Sequence, residues 1–164
     1  MTDLPDLAIS IRQPWAWAIL NAGKDVENRG LKASRALFRP GLRVAIHASK
    51  GMTEDEYRDG AEAILDLSNA AAKVPAPGHL VRGAIIGSVL MVDRVERSAS
   101  PWFFGPAGIL LAEAEPCAPI YCSGQLALFP WRNQPHQDKP QPPLKWMVRP
   151  EYAFGWPRAY PARS

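Results

Sequence analysis

The sequence predicts an α+β fold in which a small β-barrel carries helices at its periphery. The chain has 164 residues, 47% of them hydrophobic, which suffices for one core and excludes two large domains. Short apolar segments of strand-like patterning alternate with two segments of helical periodicity. Gly and Pro interrupt the strand-like segments, which is typical of strongly curved β-structure.

The first predicted elements are a strand and a helix. Residues 7 to 11 are short and apolar, which is typical of a buried strand. Pro14 suits the first turn of a helix, because its φ is already helical and its missing N–H costs nothing there. The helix should continue to about Ala22 and stop at Gly23. Its apolar face repeats at i, i+3, i+4 and i+7 and consists of Trp15, Ala18, Ile19 and Ala22.

Three further segments indicate strands or strand partners. Residues 43 to 48 alternate, which places Arg43 and His47 on one face of a strand. Residues 83 to 92 are apolar on both faces, as in a strand covered on both sides. Residues 108 to 115 predict one more strand.

A second helix should begin with a capping box formed by Thr53 and Glu56, and it should run to about Ala72. Acidic residues occupy its outer face, so we assign this helix to packing and not to chemistry. Its predicted inward face consists of Tyr57, Ala61, Ile64, Leu65 and Ser68.

The C-terminal part differs in composition, and we divide the chain into a domain of residues 1–130 and a Pro-rich basic extension of residues 131–164. Residues 130–164 hold eight of the seventeen prolines, which excludes a regular helix or central strand. Two interpretations stay open. The favoured one is an extended segment that packs through its tryptophans or is disordered, and the other is an aromatic arm that stacks on bases. The tryptophans are Trp131, Trp146 and Trp156.

Composition also excludes several classes of protein. No apolar run approaches the roughly 18 residues that a membrane-spanning helix needs, and the N-terminus lacks the pattern of a secretion signal. We therefore expect a cytoplasmic protein without a membrane partner. The two cysteines, Cys117 and Cys122, argue against a disulfide scaffold, and the three histidines have no zinc-ligand spacing. We predict neither a metal ion nor another cofactor.

The charge distribution points to a polyanionic partner. Residues 10–50 carry eight basic residues against two acids, a net charge of +6, whereas residues 51–72 carry −5. Residues 130–164 return to +4. Segregated basic surfaces attract phosphates, so RNA or a nucleotide-derived ligand is the expected partner. The alternative is that these are ordinary solvated lysines and arginines. Nothing in the sequence sets the oligomeric state.

Six short motifs occur in the order found in a known family. The chain resembles the ASCH domain, the activating signal cointegrator homology module, over about residues 7 to 130. The resemblance implies a PUA-like β-barrel with peripheral helices, a cleft on one side, and RNA or nucleotide substrates. The motifs are Ser10–Ala16 (SIRQPWA), Gly23–Arg29 (GKDVENR), Ile46–Ser49 (IHAS), Gly83–Gly87 (GAIIG), Gly108–Leu111 (GILL) and Gly124–Leu126 (GQL).

The candidate catalytic residues are Lys24, Glu27, His47 and Lys50. Lys24 follows the predicted helix end, so its ammonium can enter a cleft, as a base or nucleophile if partly buried and as a phosphate clamp if exposed. Glu27 either orients Lys24 or pairs with Arg29 in a purely structural role. His47 either transfers a proton to or from RNA or is a hydrogen-bonded core histidine. Lys50 would neutralise phosphate charge.

The candidate nucleic-acid-binding residues share positions in these motifs or in nearby Gly/Pro-rich loops. They are Arg12, Trp15, Arg29, Ser49, Ser123 and Gln125. For Trp15 the helical spacing favours a core position over a stacking position. Asn28 should fix backbone, with reading of a base edge as the less favoured alternative. Trp102 lies in a loop of the kind that presents binding residues.

We therefore predict an RNA-binding protein that acts on single-stranded RNA as a ribonuclease or binds RNA without catalysis. A third hypothesis comes from a branch of the ASCH family that deacetylates N4-acetylcytidine. That branch has a threonine three positions after the lysine, where this chain has Glu27, so the hydroxyl nucleophile is missing and the amidohydrolase activity is less favoured.

Overall fold

A computed structural model describes residues 3–68 and 73–156 and confirms the α+β class. These residues form three α-helices and six strands, and short 3-10 helices occur at Pro77–His79, Trp131–Asn133, Lys145–Val148 and Pro150–Tyr152. The elements are β1 (Leu7–Ile11), α1 (Trp15–Asn21), β2 (Val26–Arg29), α2 (Leu31–Leu37), β3 (Arg43–Ala48), α3 (Glu54–Leu67), β4 (Ala84–Val95), β5 (Ala107–Tyr121) and β6 (Phe129–Pro130). None of the helices in the described part of the chain is long and apolar enough to cross a membrane.

The six strands form one mixed sheet in the order β2-β5-β4-β3-β1-β6. β1 pairs in parallel with β3, and the other neighbours are antiparallel. The sheet is not closed, so the predicted barrel is wrong. Closure would require the two edge strands to pair, but β6 has two residues and one of them, Pro130, has no N–H to donate. Register shifts between β4 and β5 curve the sheet without closing it.

The predicted strands are all present. β1 and β3 have the predicted bounds, β4 begins one residue after the predicted start and ends three residues later than predicted, and β5 extends beyond its predicted segment at both ends. The first helix begins at Trp15 with Pro14 as its N-cap, one residue later than expected, and Gly23 follows it with a φ of 72°. Periodicity did not predict α2, because this helix has seven residues, no side-chain cap and two buried residues, Ser34 and Leu37.

The capping box of α3 is confirmed by both of its hydrogen bonds, between Thr53 and Glu56. Tyr57, Ala61 and Ile64 are buried as predicted, while Leu65 and Ser68 are half-buried. The predicted end of this helix at Ala72 lies outside the described residues.

Residues 131–156 pack against the rest of the chain, which agrees with the packed form of the favoured interpretation. Trp131 is buried, and its indole Nε1 donates to the Pro5 carbonyl at 2.7 Å. Tyr152 is buried beside Tyr57 of α3, with ring centroids 5.6 Å apart. Trp146 and Trp156 pack against the hydrophobic cluster that contains Tyr57 and Tyr152. The aromatic side chains of this segment therefore complete a core, whereas the domain boundary at residue 130 stays a prediction.

Candidate functional site

Two adjoining cavities lie where β1, β3 and the loop after β5 meet. The first has a volume of about 410 Å³ and the second about 360 Å³. They share a wall formed by Ser10, Ser49, Gln125 and Leu126. Because these four residues face both spaces, a ligand that fills one cavity borders on the other.

The structure brings together the predicted site residues with one exception. His47, Lys50 and Ser123 line the first cavity, and Ser49 and Gln125 line both. The remaining predicted residues that line the second cavity are Arg12, Trp15, Glu27 and Arg29. Segments far apart along the chain thus converge, while the role of each side chain remains a prediction.

Lys24 is the exception, since it lines neither cavity. Its side chain is 3% exposed. Its Nζ donates to the Val26 carbonyl and lies 3.4 Å from Glu27 Oε2. The ammonium also lies 5.6 Å from the centroid of the Trp15 ring. The expectation that Lys24 enters a cleft is therefore wrong, because the chain turns this side chain inward and satisfies its charge there.

Glu27 connects Lys24 to Arg29. Its Oε1 accepts from Arg29 Nε at 3.1 Å, and Arg29 Nη2 donates to the Ser10 carbonyl at 2.8 Å. The two residues share a face of β2, as their spacing predicts. This network holds β2 against β1, directly beside the shared wall.

Ser10 and His47 form the hydrogen-bonded centre of the first cavity. Ser10 Oγ lies 3.0 Å from His47 Nδ1, and His47 Nε2 lies 2.8 Å from the Cys122 carbonyl. A carbonyl oxygen can only accept, so in neutral His47 the Nε2 carries the proton and Nδ1 accepts from the Ser10 hydroxyl. Burial lowers the pKa of His47, and the hydrogen bond to Cys122 opposes this in part. The imidazole is therefore neutral near pH 7 and has its basic nitrogen on the serine.

Sequence reasoning singled out His47 but missed Ser10 as a functional residue. Ser10 is a lone polar residue within the apolar strand β1, and that interruption is the signal that could have found it.

Gly124 was also missed, although it lies in one of the six motifs. A Cβ at this position would lie 2.5 Å from His47 Cε1, 2.6 Å from His47 Nδ1 and 2.6 Å from Ser10 Oγ. Such contacts are impossible without movement, so a glycine is needed for this loop to lie against the pair.

Positive charge predominates along the cavity walls, where Arg12, Arg29 and Lys50 face the single carboxylate of Glu27. Arg12 forms a two-pronged ion pair with Glu56, at 2.9 and 2.6 Å. Lys50 is exposed, and its ammonium has no ion pair within the described residues. Lys50 is thus the cation most available to a ligand.

The nearby aromatic residues divide between cavity and core. Trp15 is half-buried, contacts the edge of Phe104 at a centroid distance of 5.9 Å and lines the second cavity, so it serves both environments. Asn28 fixes backbone as predicted, because it donates to the Trp102 carbonyl at 2.9 Å and accepts from the Phe104 amide at 2.7 Å. Trp102 itself is buried in the core, so its predicted presentation from a loop is wrong.

No group of three His, Cys, Asp or Glu side chains within residues 3–68 and 73–156 is placed to hold a metal ion. Cys117 and Cys122 are free thiols, and burial raises the pKa of both. They therefore remain protonated at neutral pH.

The fold and site define an α+β protein with a cationic double cavity and a serine–histidine pair at its centre. No family model and no curated protein match the chain. Among solved structures, the chain is similar to the crystal structure of ASCH from Zymomonas mobilis, with 19% identity over 70% of this chain and 72% of that one, at a TM-score of 0.40. That protein carries the name of the family that the sequence motifs resemble.

Proposed function

We propose that this protein binds single-stranded RNA across the two adjoining cavities. The observation that carries the proposal is the wall shared by the cavities, with Lys50 on one side and Arg12 and Arg29 on the other. Cationic side chains spread along a polar groove can each meet one phosphate of a strand that lies across it.

An unpaired strand suits this surface better than a duplex. Trp15 lines the second cavity and offers an aromatic face or edge to a base, and base–aromatic stacking tolerates any sequence. Each cavity has the size of a small-molecule site, so splayed nucleotides can enter them while the stacked bases of a helix cannot.

The geometry favours binding over cleavage by the catalytic set predicted from sequence. Lys24 and Glu27 are engaged with one another and with neighbours, and Lys24 does not reach the cavities. His47 Nδ1 is bonded to Ser10 and its Nε2 to the Cys122 carbonyl, so neither ring nitrogen is free to exchange a proton with RNA directly. The position of Glu27 carries no hydroxyl, which still disfavours the N4-acetylcytidine amidohydrolase hypothesis in its family form.

Titration of a 5′-fluorescein-labelled single-stranded RNA, followed by anisotropy at several salt concentrations, tests the proposal. Three phosphate contacts predict that log K falls with log salt at a slope of about −2, and Lys50→Ala should weaken binding and flatten the slope by about 0.7. Lys32→Ala is the matched control, because Lys32 is exposed on α2 and lines neither cavity.

Equal weakening by Lys50→Ala and Lys32→Ala would contradict binding in the cavities. The same samples, run on a denaturing gel, report cleavage. Shortened RNA that disappears with Lys50→Ala but not with Lys32→Ala would favour the ribonuclease over the non-catalytic module.

A further inference from the structure

The Ser10–His47–Cys122 arrangement has the parts of an activated nucleophile. A hydroxyl donates to an imidazole nitrogen at 3.0 Å, and the opposite nitrogen is held at 2.8 Å by a fixed carbonyl. A nucleophile, a base and a group that orients the base form the general pattern of nucleophilic catalysis by serine. RNA binding does not use this pattern, since phosphate contacts require only the cations.

We propose that Ser10 is a covalent nucleophile for acyl transfer, with His47 as its general base, and that the first cavity hydrolyses carboxylic esters that carry an anionic group. This activity goes beyond the proposed function and does not depend on it.

The nucleophile is accessible from the cavities. Ser10 is half-buried and lines both of them, whereas His47 is 2% exposed and lies behind it. Gly124 packs against the pair from the loop side, where any Cβ would collide with both residues. Ser10 is therefore the more exposed member of the pair, and the buried base acts through it.

Donors for an oxyanion are also near. Gly124 and Gln125 line the first cavity, and within the described residues their backbone amides make no hydrogen bond. Backbone N–H groups beside a serine nucleophile are the usual stabilisers of a tetrahedral intermediate.

The reaction balances without any cofactor. Ser10 Oγ bonds to the ester carbonyl carbon while its proton passes to His47 Nδ1, and the carbonyl oxygen becomes the oxyanion. Collapse breaks the bond to the alcohol oxygen, which leaves with the proton from His47, so Ser10 is acylated. Water then attacks the acyl carbon and gives a proton to His47. A second collapse releases the carboxylic acid, and Ser10 Oγ recovers the proton.

The substrate class follows from the surroundings of the pair. The second nitrogen of His47 meets a neutral carbonyl and no carboxylate, so the imidazolium that forms during attack is weakly stabilised. An ester alcohol leaves with less help from a proton donor than an amide nitrogen does, so this pair suits esters. Lys50 lines the same cavity and would hold a negative group on the substrate.

Three measurements test the proposal on the full chain. The first is labelling with a fluorophosphonate, which releases fluoride when it phosphonylates an activated serine, followed by mapping of the modified peptide. We expect the label on Ser10. The second is acetate release from phenyl acetate, which Ser10→Ala should lower at least about 100-fold. The third compares 4-acetoxyphenyl phosphate with phenyl acetate, and Lys50→Ala should remove the preference for the phosphate-bearing ester.

Ser100→Ala is the matched control, because the Ser100 hydroxyl donates to Asp25 at 2.5 Å but lies outside both cavities. It should leave labelling and turnover unchanged. His47→Gln should lower turnover while the serine remains, with melting temperature as the control for folding.

Label on another serine, or turnover equal in Ser10→Ala and wild type, overturns the nucleophile. Equal rates on the two esters overturn the anionic specificity. If the Ser10→Ala chain fails to fold, the labelled position in the wild-type chain decides alone. RNA binding is measured separately on the same wild-type sample by fluorescence anisotropy. If the wild-type protein does not bind RNA, the proposed function is overturned and the ester activity is unaffected.

Discussion

Ser10 and His47 stand opposite each other in the parallel register of β1 and β3, and their side chains meet at 3.0 Å. The pair is fixed by a sheet and not by a loop, since each residue lies within a strand that is hydrogen-bonded on both sides. Strand-borne side chains lose little further freedom when they react or bind. Changes of pH or of the adjoining Gly124 should therefore act on a rigid pair.

Acid should weaken the fold through His47. Burial lowers the pKa of His47 in the folded state below its ordinary value of 6.5, so the unfolded chain takes up this proton first as the pH falls. The contribution of His47 to stability is therefore complete above pH 6.5 and is lost as the pH falls from 6.5 toward the folded-state pKa. The melting temperature of the wild-type protein should fall more between pH 7.5 and pH 5 than that of the His47→Gln variant. Parallel losses in the two proteins would contradict a buried, neutral His47.

Gly124→Ala should separate Ser10 from His47. The added Cβ must displace one of the two side chains or the loop, at a cost of about 1–3 kcal/mol in unfolding free energy. Gly78→Ala is the matched control, because Gly78 is exposed and a Cβ added there would make only ordinary contacts, 3.8 Å from Pro143 and 3.9 Å from Met147. Urea unfolding of the two variants measures the difference, and equal stabilities would mean that the loop gives way freely.

Periodicity predicted those elements whose patterns are long or sharply bounded. The strand at residues 43–48 and the capping box at Thr53 appear as expected, because alternation and capping are local properties. Periodicity did not predict α2, because the burial of this helix depends on the sheet beneath it. The barrel prediction was wrong because closure depends on pairing between edge strands that are distant along the chain. No local sequence pattern predicts that pairing.

Most of the predicted residues line the two cavities, but the orientation of their side chains could not be predicted from the sequence. Arg29, Ser49 and Gln125 lie in the sequence motifs and Lys50 directly follows one of them, and the fold places all four on the cavity walls. Whether a lysine side chain points into a cavity depends on the groups around it in the folded chain. The ammonium of Lys24 donates to the Val26 carbonyl, and this side chain therefore lies away from both cavities. The partnership of Ser10 with His47 required the β1–β3 register, which only the folded sheet supplies.

Lys24→Met should lower the free energy of unfolding, because Lys24 has a structural role and lies outside both cavities. It leaves the mostly buried carboxylate of Glu27 with Arg29 alone, and breaking a buried pair typically costs about 3 kcal/mol or more. Glu27→Gln added to Lys24→Met should recover part of this loss, because the neutral amide no longer needs a second cation. Urea unfolding of both single variants and the double variant measures the coupling. Strictly additive changes would show that the two side chains do not interact.

The C-terminal segment should be required for the stability of the domain. Trp131 is 4% exposed and Val148 is 64% exposed, although both lie in short 3-10 turns of this segment. Removing a buried tryptophan side chain costs about 3–5 kcal/mol, whereas an exposed valine contributes within about 0.5 kcal/mol. Trp131→Ala should therefore lower the midpoint of urea unfolding strongly, and Val148→Ala should leave it in place. A chain that ends at residue 130 also loses Met147 and Tyr152 from the core, so it should melt below the Trp131→Ala variant. If the truncated chain instead has the same melting temperature as the full-length protein, residues 131–156 do not contribute to stability. The packing around Tyr57 would then not be needed to hold the domain together.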